Sequence, residues 1–307
     1  MSRLAVLDLG TNTFHLLIVE TDSAGHFSVL YKEKRFVKLA EGGIKRIGAA
    51  AMQRATSTLM AYRDLLDQYE VKQVKVIGTA ALRTASNGPD LMKWAADKTQ
   101  LDIEIISGQR EAALIQKGVF QSLVKPLERY LVMDIGGGSV EFIIAEGDKV
   151  LWCQSFPVGA AVLLRKFHQK DPISAKELLG IKAFLNLHLE PLEQALTDWP
   201  TQWLVGAAGT FDVIAEQIAI SRSSPQTWEV DPTRFAPLFD ELKKMSWEER
   251  ERSPWIPDDR VDMIVVASSL IHYVLETYQI KRFTVSAYAL KEGMIAEMLG
   301  ESPNSLK

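Results

Sequence analysis

"DLGTNTFHLLIVE" at residues 8–20 and "DIGGGSVEFIIAE" at residues 134–146 are two writings of one pattern, 126 residues apart. In each, an Asp is followed by an apolar residue and a Gly, then by small or hydroxyl residues, then by a β-rich apolar run ending in Glu. The pattern places the Asp at the end of a strand with a tight turn after it. Gly10 in the first copy, and Gly136, Gly137 and Gly138 in the second, let the backbone approach an anion, because successive N–H groups in such turns form a concave anion site. Thr11, Asn12, Thr13 and Ser139 add side-chain donors. Asp8 and Asp134 are then placed to hold Mg²⁺, directly or through water. The plainer reading of either copy alone is a β-hairpin with favourable turn residues. The matched pair speaks for two phosphate loops.

The elements around the two copies repeat as well. In the first half, residues 4–7, 15–20 and 28–35 read as strands, and residues 49–69 as a helix with apolar positions three and four apart. "VKVIGTAALR" is a strand running into a loop at 79–83, "NGPD" (87–90) starts a helix, "LDIEIIS" is a fifth strand, and residues 108–123 are helical. The second half offers strands at 130–135, 140–145 and 150–156, a helix at 174–197, and a strand in "WLVGAAGT" (203–210) followed by a helix from Phe211. It closes with a strand and helix in "RFTVSAYALKEGMIAEML" (282–299). Each half is β-β-β-α-β-α-β-α. The offset between matching motifs grows from 126 to about 180, which locates an insertion containing "SWEERERSPWIP" before the last strand. The expected fold is α/β, with two duplicated domains facing each other across a phosphate-binding cleft. Residues 1–124, joined by the C-terminal helix at about 289–300, form the first domain; residues 125–307 form the second, with the boundary in "VKPLER" (124–129).

Bulk properties narrow the partners. The 307 residues suit two domains, and a 47% apolar, 24% charged composition supplies ordinary cores. A net charge of −4 with no dense Lys/Arg run gives no broad cationic field for nucleic acid. No apolar stretch reaches the roughly 18 residues of a membrane span, and "MSRLAVLDLG" does not read as a signal peptide. The single Cys153, in the strand-like "VLWCQSF", reads as a buried, inert thiol suited to a reducing cytoplasm. P-loop and dinucleotide-binding patterns are missing, and His15, His26, His168, His188 and His272 are too scattered for a zinc site. A homodimer is compatible with the chain, but no apolar stripe marks an interface.

The order of a first phosphate loop, a connecting helix, a second phosphate loop, a "GAAGT" loop and a second connecting helix resembles the actin/Hsp70/sugar-kinase (RNase H-like) superfamily. In detail, "AVLDLGTNTFHLLI", "GTAALRTASN", "IEIISGQREAALI", "VMDIGGGSVEFII", "VGAAGT", "IPDDRVDMI" and "SAYALKEGMI" resemble the exopolyphosphatase/guanosine pentaphosphate phosphatase (Ppx/GppA) family, from residue 5 to 295 and in its short, two-domain form. The resemblance implies Mg²⁺-dependent hydrolysis of a terminal phosphoanhydride, releasing orthophosphate from polyphosphate or from pppGpp. It implies that Glu111 is the catalytic base and that Glu141 positions the water or the metal. It makes Asp8 and Asp134 metal-linked, turns Arg83 and Asn87 toward the phosphate chain, and sets Gly209 and Thr210 against distal phosphates or a guanosine moiety. Arg260 and Asp262 match a signature with a more structural role.

Two departures stand out. Val140 replaces the usual Thr, and Arg110 replaces the acid that normally precedes the base, putting a cation where it can lower the Glu111 pKa or touch phosphate. On the residues alone, Glu111 reads equally as a solvated first-turn helix acid, and Arg83 as a surface loop Arg. Two phosphatase readings remain open, exopolyphosphatase first and pppGpp 5′-phosphohydrolase second, with a basic path through Lys32, Lys34, Arg35, Lys38, Lys45 and Arg46 as the feature favouring a polymer. A non-catalytic nucleotide-binding regulator of actin-like fold is the alternative from another class.

Overall fold

The run Leu4-Ala5-Val6-Leu7 is apolar on every residue, as a strand must be when both faces of its sheet are covered. In the computed structural model, which describes residues 2–22, 27–124, 128–207 and 209–300, these four residues are buried at the centre of β1 (Ser2–Leu9). His26, residues 125–127 of the expected boundary and Ala208 of the "GAAGT" loop lie outside the described residues. The chain divides into two compact units: residues 1–118 with residues 290 onward, and residues 119–289.

In the first unit β1 is followed by β2 (Thr13–Thr21), β3 (Phe27–Phe36), α1 (Ala49–Gln68), β4 (Gln73–Gly78), α2 (Ala80–Thr84), α3 (Gly88–Thr99), β5 (Ile103–Ile105) and α4 (Gly108–Ser122). The sheet order is β3-β2-β1-β4-β5, with the first three strands antiparallel and β1, β4 and β5 parallel. Ala51, Ala55, Leu59, Tyr62 and Leu66 put one stripe of α1 into the core beside Phe14 and Leu16. The Tyr62 hydroxyl donates to the Phe14 carbonyl at 2.9 Å, tying the helix to β2 just past the first loop.

In the second unit β6 (Tyr130–Ile135), β7 (Val140–Glu146) and β8 (Lys149–Phe156) are followed by α5 (Ala160–Phe167), α6 (Ala175–His188), α7 (Glu190–Asp198), β9 (Trp203–Ala207) and α8 (Thr210–Ile218). Then come β10 (Ala219–Ser224), β11 (Thr227–Val230), α9 (Phe235–Leu242), α10 (Trp247–Arg252), α11 (Ile264–Thr277) and β12 (Arg282–Ser286); α12 (Leu290–Met298) returns to the first unit and packs on β1. The sheet order is β10-β11-β12-β9-β6-β7-β8. Read from the β8 edge, its first five strands reproduce the first sheet, and the β11–β10 hairpin extends it. The inserted residues thus supply this hairpin, α9 and α10. Helix α11, apolar almost all round, is buried on nearly every residue.

Outside the insertion, three elements differ from the sequence reading. Residues 79–83, expected as loop, enter the short α2; five residues are too few to show a helical period. Helix α5 was not expected at all. The helix expected at 174–197 is two helices, because Pro191 cannot donate a backbone hydrogen bond inside a continuous helix and instead opens α7.

Candidate active site

Parallel strands β1, β4 and β5 all end on one edge of the first sheet, and the segments leaving that edge carry the first loop, Arg83 and Glu111. The carboxyl edge of parallel strands is where α/β sheets bind ligands. The first loop is a two-residue turn: the Gly10 N–H donates to the Thr13 carbonyl at 3.1 Å, and a Cβ on Gly10 would stand 2.9 Å from that oxygen, so only Gly fits comfortably. The Thr11 carbonyl accepts from the Leu39 N–H (2.8 Å), and the Asn12 carbonyl accepts from Val37 (3.0 Å) and Lys38 (2.9 Å). A planar trans peptide points its N–H opposite to its C=O. The N–H groups of Asn12 and Thr13 therefore face away from the 37–39 segment. Asp8, at the end of β1, stands opposite His15.

Glu111 lies in the first turn of α4 and is buried, only 7% exposed. The Arg83 guanidinium Nη1 donates to the Ile106 carbonyl at 2.7 Å and lies 3.3 Å from Glu111 Oε2. Arg83 and Glu111 are thus brought together, and the solvated-acid reading of Glu111 does not describe this position. Neighbouring helix residues diverge by about 100°, and Arg110 turns away to α12, where its guanidinium pairs with Glu297 Oε2. Glu297 Oε1 also accepts from Lys75 Nζ at 2.5 Å. Burial alone would raise the Glu297 pKa, but the hydrogen bonds and charges of Lys75 and Arg110 hold it below the ordinary value. The substituted cation is anchored to a carboxylate of its own. Asn87, expected to face phosphate, accepts from the Ile47 N–H (2.9 Å) and donates to the Ile47 carbonyl (3.0 Å), clamping the 45–47 segment.

In the second unit the loop closes in the same way, with the Gly136 N–H donating to the Ser139 carbonyl at 2.9 Å. Its support differs. The Gly136 and Gly137 carbonyls accept from Ala160 and Ala161, both at 2.9 Å, so the first N–H groups of α5 hold the loop from behind. A Cβ on Gly159 would lie 2.5 Å from both the Gly137 oxygen and the Ser139 nitrogen; only Gly allows this approach. The N–H groups of Gly137 and Gly138, by the same peptide geometry, point away from α5.

Glu141 is 2% exposed, and its Oε1 accepts from Ser139 Oγ at 2.7 Å and Ser155 Oγ at 2.6 Å. Donation to Glu141 gives the Ser139 hydroxyl a different task from the phosphate donor expected of it. Asp134 and Glu141 are directly opposed cross-strand neighbours on β6 and β7. At the end of β9, Gly209 has φ 61°, a left-handed conformation that suits Gly, and Thr210 opens α8 fully buried. An Arg260 guanidinium nitrogen lies 3.5 Å from where a Gly209 Cβ would be, while the Asp262 carboxylate accepts from the Trp247 indole at 2.9 Å. Sequence reasoning missed α5, Ser155 and the approach of Arg260 to the "GAAGT" loop. Half-buried Cys153 has its thiol pKa raised by burial, consistent with an inert side chain.

Among the described residues no three His, Cys, Asp or Glu side chains gather as a metal cage. Mg²⁺ does not need one: it is commonly held by one or two carboxylates with water and substrate phosphate. The facing pair Asp134 and Glu141 fits that donor chemistry.

Residues 17–302 match the Ppx/GppA phosphatase family. The chain is 30% identical over 304 residues to a guanosine-5′-triphosphate,3′-diphosphate pyrophosphatase of Photobacterium profundum, covering 97% of this chain and 59% of that protein. It thus spans about three-fifths of the length of the curated relatives it matches. The crystal structure of an exopolyphosphatase from Cytophaga hutchinsonii is similar to this chain with 37% identity and a TM-score of 0.92, over 98% of this chain and 99% of that one. An Aquifex aeolicus member of the Ppx/GppA family is similar at 26% identity and a TM-score of 0.80, with the same coverage.

Proposed function

We propose that this chain, which belongs to the Ppx/GppA phosphatase family, is an exopolyphosphatase that hydrolyses the terminal phosphoanhydride of inorganic polyphosphate and releases orthophosphate. The observation that carries the reading is the buried Glu111 with Arg83 against it, on the sheet edge that also carries the first loop. A carboxylate held there orients a water for in-line attack, a contribution of about 10²- to 10⁴-fold for general-base catalysis. Arg83 both steadies Glu111 and offers guanidinium N–H groups to phosphate oxygens. In each unit the loop N–H groups, turned away from their support, are suited to stabilise negative charge on phosphoryl oxygens.

Asp134 and Glu141 would hold Mg²⁺, with Asp8 at the equivalent place in the first unit. The ion, when bound, neutralises charge on the phosphates. Full-length likeness to an exopolyphosphatase at 37% identity favours the polymer as substrate. The likeness to pppGpp-directed enzymes favours a second reading, in which Gly209, Thr210 and Arg260 meet the guanosine end.

The test is orthophosphate release with Mg²⁺ from long-chain polyphosphate, pppGpp and ATP, offered separately at matched concentrations. Polyphosphate is expected to be fastest, and pppGpp fastest would install the second reading. Glu111→Gln is expected to abolish turnover while sparing substrate binding. Release at the wild-type rate by that variant would sink the base assignment, and silence of the wild-type chain on all three substrates would sink the enzyme reading.

A further inference from the structure

Glu141 is held by two hydroxyl groups on one oxygen, and one of them comes from a residue outside both loops. Ser155 lies on β8, directly opposite Glu141 in the β7–β8 register. A short side chain at that place sets its hydroxyl beside its cross-strand partner, and the 2.6 Å bond to Oε1 has the length of a charge-assisted O–H···O⁻ contact. Ser139 reaches the same oxygen from the loop at 2.7 Å. Two donors converging on Oε1 fix the plane of the carboxylate, and so fix where Oε2 points whatever it meets. The sequence repeat shows that this arrangement was not simply copied. In the first unit the equivalent facing positions hold His15 and Lys34.

We propose that Ser155 is a positioning residue for the reaction, holding the Glu141 carboxylate in the orientation that serves Mg²⁺ or the attacking water. The inference rests on the role assigned to Glu141 above. Partners of this kind, which orient a metal-linked carboxylate without touching the reacting atoms, typically cost about 10- to 100-fold in metal affinity or activity when removed.

The experiment compares the full-length wild type with Ser155→Ala, Ser155→Thr, Glu141→Gln and the Glu141→Gln/Ser155→Ala double variant. Ser155→Ala is expected to lower kcat on polyphosphate by about 10- to 100-fold with KM and thermal midpoint close to wild type. Ser155→Thr, which keeps a hydroxyl, is expected to recover most of that loss. The double variant should be no slower than Glu141→Gln alone, since Ser155 acts only through that side chain. Calorimetric titration with MgCl₂ supplies a readout that does not pass through turnover: Ser155→Ala should weaken uptake relative to wild type. Wild-type kinetics and Mg²⁺ uptake in Ser155→Ala would overturn the inference while leaving the functional reading in place, as would a further loss in the double variant. A wild-type chain with no turnover and no Mg²⁺ uptake would remove both together.

Discussion

The two loop hairpins share a turn and differ in everything that backs it. In β1–β2 the loop carbonyls rest on the irregular 37–39 segment, and the position facing Asp8 is His15. In β6–β7 they rest on the N-terminus of α5, and the position facing Asp134 is Glu141. What the two hairpins share is the Gly-closed tight turn, which leaves backbone N–H groups facing away from its support. The side-chain chemistry beside it diverged. The second hairpin carries the paired carboxylates and the serine clamp; in the first unit the buried acid is Glu111, on α4 rather than on the hairpin. The lesson is that the repeat is a repeat of scaffold, with the buried carboxylates distributed unequally over it.

That contrast is exposed to experiment at the facing positions first. Glu141→Gln is expected to lower kcat by about 10²- to 10⁴-fold, whereas His15→Gln stays near wild type. Equal losses in steady-state phosphate release would mean that the two hairpins are functionally equivalent after all. A smaller effect concerns the supports. Gly159→Ala forces a methyl into a 2.5 Å gap against the second loop and should destabilise the fold by about 1–3 kcal/mol, read by urea denaturation, with weakened phosphate binding. Gly42→Ala, beyond the segment under the first loop, has nothing within 4 Å and should be close to neutral. A neutral Gly159→Ala would show that α5 is not the rigid backing it resembles.

The smallest effect separates the first long helix after each hairpin. α1 begins at Gly48 without a side-chain cap, whereas α6 begins with a reciprocal Ser174–Glu177 capping box. Partial burial pushes the Glu177 pKa up, but hydrogen bonds from Ser174, Gln169 and Lys170 outweigh it and hold the group at about 2. A carboxylate depressed in the folded state stabilises above its unfolded value of about 4.3, and that stabilisation disappears as pH falls through the folded value. Glu177→Gln should therefore cost on the order of 1 kcal/mol at pH 7. The difference between wild type and variant in urea midpoint should shrink steadily between pH 5 and pH 2. A difference that does not change with pH would remove the capping box as its cause.

Most of the scaffold could be read because its signals are local. Leu4–Leu7, the alternating runs and the 3–4 spacing of α1 each declare their element within a few residues, and the repeat then doubled the information. Placement of the insertion followed from simple offset growth. Helix α5 escaped because its eight residues follow a strand directly, and the reason for Gly159 is a loop 20 residues earlier in the chain. The β10–β11 hairpin escaped because its polar "SRSSPQ" stretch shows no alternation, being on a sheet edge.

Within the site, the loops and Glu111 were accessible through motif likeness, but side-chain partnerships were not. Arg110 could not be understood without Glu297, 187 residues away, and Asn87 could not be separated from a phosphate ligand without Ile47. Ser155 had no motif to mark it; only the strand register brings it to Glu141.

The return of α12 to β1 has a consequence for how the chain is made. A ribosome delivers residues 119–289 as one uninterrupted stretch, so the second unit has all of its residues while the first still lacks a helix. Until residues 290–298 emerge, β1 waits without its packing partner and Lys75 and Arg110 without the carboxylate of Glu297. β1 is thus finished only after the second unit has all of its residues, and a stall in translation past residue 289 leaves bare the part of β1 that α12 packs on.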